Sequence, residues 1–185
     1  MENNIYFSDK YEPIIMPHCI FFNATDHCGC NDLKKWSKYI WVLDYKNKRK
    51  NNFIKKKVEY YKKKYPRKKI IFSCHWGPNY VDKISSEIKE FGRFLIDIGV
   101  GIVFGHSAHH IPPEIYDKYK KGIIIYGLGD FINDYMVDKK YKSDYALMCS
   151  VDFKIRQIKF IKVKRRFINS SSIPFIVSED IVDYF

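Results

Sequence analysis

Between residues 68 and 105 the chain reads as an apolar run, an amphipathic segment and a second apolar run. KKIIFSC (68–74) and VGIVFG (100–105) have the β-branched, continuously apolar character of strands buried on both faces. SSEIKEFGRFLIDIG (85–99) lies between them and sets Ile88, Phe91, Leu95 and Ile98 on one helical face, with Ser85 or Ser86 as cap and Gly99 as stop. Two strands joined through a helix cannot pair as a hairpin, and short links make them parallel neighbours in a sheet that helices cover. This single feature commits the chain to the α/β class.

The rest of the chain follows the same alternation. IIMPHCIFFNA (14–24) reads as a strand whose start Pro17 pushes to about His18, and YIWVLDY (39–45) as a shorter strand. NNFIKKKVEYYKKKY (51–65) repeats apolar residues at 54, 58 and 61, a helical spacing that Pro66 ends. KGIIIYGLG (121–129) is a further strand. The tail YALMCSVDFKIRQIKFIKVKRRF (145–167) alternates as two strands joined near Arg156 and Gln157, which look antiparallel. No repeat, low-complexity linker or composition shift divides the chain, so 1–185 is expected to be a single domain.

Composition bounds the function. With 46% hydrophobic and 17% aromatic residues a real core is expected and wholesale disorder is not. No apolar run is long enough to span a membrane, and the polar start MENNIYFSDKYEP lacks the pattern of a signal peptide. The net charge of +12 has two readings. One is an anionic partner, met through KNKRKNNFIKKKVEYYKKKYPRKK (46–69), with Lys55, Lys56, Lys57, Lys62, Lys63 and Lys64 as the contacts. The other is a solvated helix in a chain rich in Lys, Asn, Ile, Tyr and Phe, and this bland reading is preferred. Cys19, Cys74 and Cys149 sit in apolar runs as small core residues, and the odd set of five suits a reducing compartment such as the cytoplasm while leaving the localisation open. His27, Cys28 and Cys30 in HCGC have no second pair to complete a metal clip. Cys74 beside His75 is not a nucleophile and base, because neighbours on a strand face opposite ways.

Ligands of open α/β sheets bind outside the carboxyl ends of the strands. Five of the six histidines fall just past a predicted strand end, all but His18. Histidine is a common nitrogen ligand for zinc and related divalent ions. His106 and His109, with two residues between them in a Gly-started loop, could face one ion, and His75 from the neighbouring strand could be the third ligand. His110 is expected to be a supporting or structural partner.

SCHWGPNY, LIDIGVGIVFGHSAHH, EIY and IIIYGLGDFINDY, in this order across 70–135, resemble the CapA family of capsule and poly-γ-glutamate synthesis proteins, which are similar in fold to calcineurin-like metallophosphatases. ATDH (24–27) resembles a further strand end of that family. The resemblance implies that His75, His106 and His109 are metal ligands, for manganese, zinc or iron. It places Asp130 at the family's Asn-or-Asp position in the last loop, as a site-lining residue, and Trp76 and Tyr80 at positions lining the cleft. Aromatic packing beside a turn is an equal reading for those two. If active, such a protein is expected to be a metal-dependent hydrolase acting on a phosphate or carboxyl-derived centre, with an anionic polymer or a phosphate as substrate.

The family opens on a strand ending in Gly-Asp, followed later by an Asn-His pair, and neither is found in this chain. Two-metal sites rely on carboxylates that bridge ions about 3.5–4 Å apart. The chain is therefore expected to correspond to the C-terminal half of a metallophosphatase-like domain, a truncated or degenerate relative inactive without a missing N-terminal half or a partner chain. The alternative is a basic, non-catalytic module that binds nucleic acid or another polyanion through 46–69, with nucleic acid disfavoured.

Overall fold

A computed structural model describes residues 11–26, 40–133, 135–154, 156–168 and 171–184. The elements are β1 (Ile14–Ile15), β2 (Cys19–Thr25), α1 (Lys48–Lys64), β3 (Lys69–His75), α2 (Ser86–Asp97), β4 (Ile102–His106), β5 (Tyr116–Tyr119), β6 (Gly122–Ile125), β7 (Tyr145–Asp152), β8 (Gln157–Ile168) and β9 (Ser171–Tyr184). β1, β2, β3 and β4 are neighbours in that order, β5 pairs with β6, and three strands run in the order β7-β8-β9. The class is α/β with an antiparallel tail, as expected. The chain forms two compact units, Met1–Trp76 with Ser85–Phe104, and Gly77–Ile84 with Gly105–Phe185.

In the first unit β2 and β3 pair in parallel, Ile20 against Ile70, Phe22 against Phe72 and Thr25 against His75. Phe22 stacks on Phe72 at 5.7 Å and meets Trp41 and Tyr61 edge-on at 6.2 and 5.7 Å. α1 starts three residues before the expected position, because the Asn47 side chain caps it by accepting from the amides of Arg49 and Lys50. Its apolar stripe, Ile54, Val58 and Tyr61, is buried as the spacing predicted. Lys62, Lys63 and Lys64 occupy the last turn, where cations complement the helix dipole. α2 is capped by Ser85, whose Oγ accepts from the Ile88 amide, and it stops at Gly99 with φ of +109°. Ile96 rather than Ile98 completes the buried face, since the helix ends at Asp97.

One expectation needs correction here. The stretch 39–45 is not a strand in its described part. It makes one parallel bridge, Thr25 with Val42, before the turn that caps α1 begins. Its apolar residues still matter, because Trp41 and Leu43 are buried. The strand read in 14–24 begins at Cys19, just past Pro17 as expected, and Ile14–Ile15 adds the short β1, which folds back antiparallel onto β2.

In the second unit β5 and β6 form a hairpin, Tyr119 opposite Gly122, and β7, β8 and β9 form an antiparallel ladder. The core is Ile123, Ile124, Ile125, Ala146, Ile158, Phe160 and Val163, with Tyr116 stacked on Phe160 at 5.6 Å. Along β8 the inward residues are Ile158 and Phe160, and then Val163 and Arg165. The register of β8 against β9 shifts between Lys162 and Val163, where Val177 of β9 is passed over, while β8 stays in unbroken register with β7, so one face of β8 is buried at its start and the other at its end. Of the three cysteines expected in the core, only Cys74 is fully buried, while Cys19 and Cys149 lie half-buried at positions that face partly to solvent.

Candidate functional site

In the first unit, parallel pairing of β2 and β3 brings two carboxyl ends level. Thr25 Oγ1 lies 3.1 Å from His75 Nδ1, and the Asp26 amide donates to the His75 carbonyl at 2.9 Å. Asp26 accepts from the Tyr45 hydroxyl at 2.6 Å, and burial followed by this contact raises the Tyr45 hydroxyl far above its usual range. A cavity of about 550 Å³ opens here, lined by Asp26, Tyr45, Lys46, Lys50 and Glu87 among others. Sequence reading passed over Asp26 as a site residue. Its signal was its place, one residue beyond a strand end. Cys74 is inaccessible and burial raises its thiol well above the ordinary value, so it is no nucleophile, as expected. Trp76 is buried at 3% exposure.

In the second unit, His106 ends β4 on the exposed side, and the loop after it carries His109 and His110. The His109 amide donates to the Asn79 carbonyl at 2.7 Å, and Ser107 Oγ donates to the Gly77 carbonyl at 2.9 Å, which fastens the loop to the turn after β3. His109 Nδ1 lies 2.7 Å from Asp130 Oδ2, both side chains about one-fifth exposed. A carboxylate can only accept, so Nδ1 carries the proton and Nε2 presents its lone pair. Tyr80 and Tyr135 flank the ring at 5.8 and 5.2 Å.

His110 has a different task. Its Nε2 accepts from the Val81 amide at 3.0 Å and its Nδ1 donates to the Ile111 carbonyl at 2.9 Å. Both nitrogens are used, the residue is 2% exposed, and burial pushes its pKa below 6.5. It is a neutral structural histidine.

Residues 21–135 match the family described as bacterial capsule synthesis protein PGA_cap. The chain belongs to this family. It is 35% identical over 65 residues to capsule biosynthesis protein CapA of Bacillus anthracis, a span covering 35% of this chain and 15% of that protein. It is 40% identical over 65 residues to "Probable polyglutamine synthesis accessory protein" of Mycobacterium tuberculosis, strains CDC 1551 / Oshkosh and H37Rv, covering 35% of this chain and 17% of each. The matched span is thus only 15% to 17% of the length of these curated relatives. The resemblance read from the HWG and GHSAHH stretches is borne out at the level of the family.

The family resemblance brought with it the expectation of a metal, and the donors test that expectation. Among the described residues no group of three or more His, Cys, Asp or Glu is gathered to hold an ion. The donor chemistry of one position does fit. A ligating histidine ordinarily donates its other ring N–H to a carboxylate or carbonyl, as His109 does to Asp130. The second unit therefore offers one oriented nitrogen, with His106 at the strand end just before that loop. HCGC, including His27, Cys28 and Cys30, lies outside the described residues.

Of the lysines weighed for polyanion binding, Lys57 pairs with Glu12, Lys55 lies 3.9 Å from Glu59, and Lys64 sits over the rings of Tyr60 and Tyr65. Lys56, Lys62 and Lys63 complete that surface of α1. A cavity of about 760 Å³ beside Lys55, Lys62 and Lys63 also carries Glu59 and Asp97, so its charge is mixed. No helix among the described residues is long and apolar enough to cross a membrane.

Proposed function

We propose that this chain acts in the synthesis of a capsular poly-γ-glutamate polymer, through a divalent cation held at the histidine loop of its second unit. The observation that carries the reading is the 2.7 Å contact between His109 Nδ1 and Asp130 Oδ2, which turns Nε2 outward as a donor. His109 and His106 would hold the ion. When bound, it would supply Lewis acidity toward a phosphate or carboxyl-derived oxygen. The protein's own part is to orient the imidazole: Asp130 accepts from Nδ1–H, while Tyr80 and Tyr135 limit rotation of the ring. Membership of the capsule synthesis family supports the choice of polymer.

The test is calorimetric titration of the purified chain with manganese and with zinc, beside His109→Ala and His106→Ala. Binding of about one equivalent that disappears in His109→Ala supports the reading. Equal binding by the parent and His109→Ala overturns it.

A further inference from the structure

We infer that Arg165 and Asn133 are positioning residues for His109, forming with Asp130 a relay that fixes which ring nitrogen carries the proton. The inference rests on His109 being the working nitrogen of the proposed function, but it concerns residues that neither the family match nor the sequence motifs single out.

The relay is built from β8 outward. Arg165 is 3% exposed, although the apolar alternation at the start of β8 would turn residue 165 toward solvent. β8 pairs with β7 in unbroken register, so Arg165 stands on the face opposite Ile158 and Phe160, and at this end of the strand that face is covered by Asn133 and the Ser143 carbonyl. Its backbone amide donates to the Asp144 carbonyl at 2.7 Å, and Nη2 donates to the carbonyl of buried Ser143 at 2.5 Å. Nη1 donates to both oxygens of Asn133, the backbone carbonyl at 3.0 Å and the side-chain Oδ1. Burying a guanidinium is costly unless hydrogen bonds replace its water, and this fork supplies them at Nη1 and Nη2.

Those contacts decide the next link. A guanidinium only donates, so Asn133 must turn Oδ1 toward Arg165, and the Tyr135 amide reinforces this by donating to the same oxygen at 3.1 Å. The Asn133 amide nitrogen then faces Asp130 and donates to Oδ2. Asp130 Oδ2 also meets His109 Nδ1 at 2.7 Å. The carboxylate accepts in any case, and the Asn133 amide holds Oδ2 where the His109 Nδ1–H reaches it. A buried cation three hydrogen bonds away thus holds in place the carboxylate that sets the tautomer of the loop histidine. With Arg165 gone, the Asn133 amide loses the partner that most strongly fixes its flip, and the donor facing Asp130 is no longer enforced.

The experiment is long-range ¹H–¹⁵N correlation of histidine-labelled full chain, at a pH where the imidazoles are neutral, for the parent, Arg165→Lys, Arg165→Met and Asn133→Ala. Comparison with His109→Gln assigns the His109 signals. Within the same spectra His110, pinned by Val81 and Ile111, reports whether the second unit stays folded. The expected result is pure Nδ1–H for His109 in the parent and in Arg165→Lys. A substantial Nε2–H population is expected in Arg165→Met and Asn133→Ala, with the His110 pattern unchanged. Cation affinity in Asn133→Ala should fall about 10- to 100-fold, as for other outer partners of ligating histidines. Pure Nδ1–H in Asn133→Ala with His110 intact overturns the relay, and half-exposed Asn133 keeps this decisive even if Arg165→Met fails to fold. A tautomer change in Asn133→Ala together with cation binding indifferent to His109→Ala upholds the relay and refutes the cation reading.

Discussion

Thr25 and His75 are partners twice over: their backbones stand opposite each other in the parallel ladder of β2 and β3, and Thr25 Oγ1 meets His75 Nδ1 at 3.1 Å. The ladder fixes the height of the two residues and the hydroxyl fixes the rotation of the ring. Because Thr25 is 7% exposed, water cannot readily replace its hydroxyl. Thr25→Val keeps the shape and removes only that contact. We expect a loss of about 1 kcal/mol in urea denaturation, the usual net worth of one such hydrogen bond. A stability equal to that of the parent would show that the side-chain contact contributes nothing and that the ladder alone places His75.

The aromatic core of the first unit is expected to be the most sensitive point of that unit. Phe22 is 1% exposed and touches Phe72, Trp41 and Tyr61, so it joins β2, β3, α1 and the bridged segment around Val42. Phe22→Ala should cost about 3–5 kcal/mol through lost burial and the cavity left behind. Phe53→Ala, at 40% exposure on the same helix, should cost less than half as much. Denaturation midpoints for the two variants test the ranking, and equal losses would contradict the packing described here.

What the sequence disclosed follows from which interactions are local. Ser85, Gly99 and the Ile88–Phe91–Leu95 stripe announce α2 because caps and periodicity act within a few residues of chain. The strand-end histidines were legible for the same reason, since each follows an apolar run. β5 was not, because Tyr116–Tyr119 has the sequence YDKY and becomes a strand only through its partner β6. Arg165 was hidden more deeply. KVKRRF reads as a charged, solvent-facing strand, and Arg165 is buried only because Asn133 and Ser143, distant in sequence, cover it. Asp26 and Asn133 owe their roles to Tyr45 and Arg165, partners 19 and 32 residues away, and no local pattern carries that information.

Acid should weaken the attachment of the segment before β1. The Glu12 carboxylate accepts from the Lys57 ammonium and the Tyr61 hydroxyl, and these contacts, the Lys57 one first, hold its pKa below 4.5. A carboxyl whose pKa is lower in the folded chain contributes stability above its unfolded value, and that contribution is lost as pH falls through the folded value. Glu12 is half exposed, so solvent screens the pair and the effect is small. Urea midpoints of the parent and Glu12→Gln should therefore differ at pH 7 and converge below the folded pKa. A difference that persists unchanged at low pH would exclude the carboxylate as its cause.

The loop that carries Asp130 depends on one glycine and not on its neighbour. Gly129 has φ of +73°, and a Cβ there would lie 2.9 Å from the Tyr145 carbonyl oxygen and 3.2 Å from the His110 carbonyl carbon, both backbone atoms that cannot swing away. The adjacent Leu128 carbonyl accepts from the Leu147 amide at 2.7 Å, so the loop is also held against β7 and cannot retreat without breaking that bond. A Cβ at Gly127 would instead meet Ala108 and Pro112 at 3.5 Å, ordinary contact, with no positive φ to strain. Gly129→Ala should cost about 1–3 kcal/mol, the range for a residue forced into a rarely populated backbone conformation. It should also shift Asp130 away from His109, visible as loss of the Nδ1–H tautomer, whereas Gly127→Ala should leave that tautomer in place with little loss of stability. Parallel urea denaturation and histidine ¹⁵N spectra of the two variants decide the matter. If Gly127→Ala were the more damaging, the close approach of the loop to β7 would not be what places Asp130.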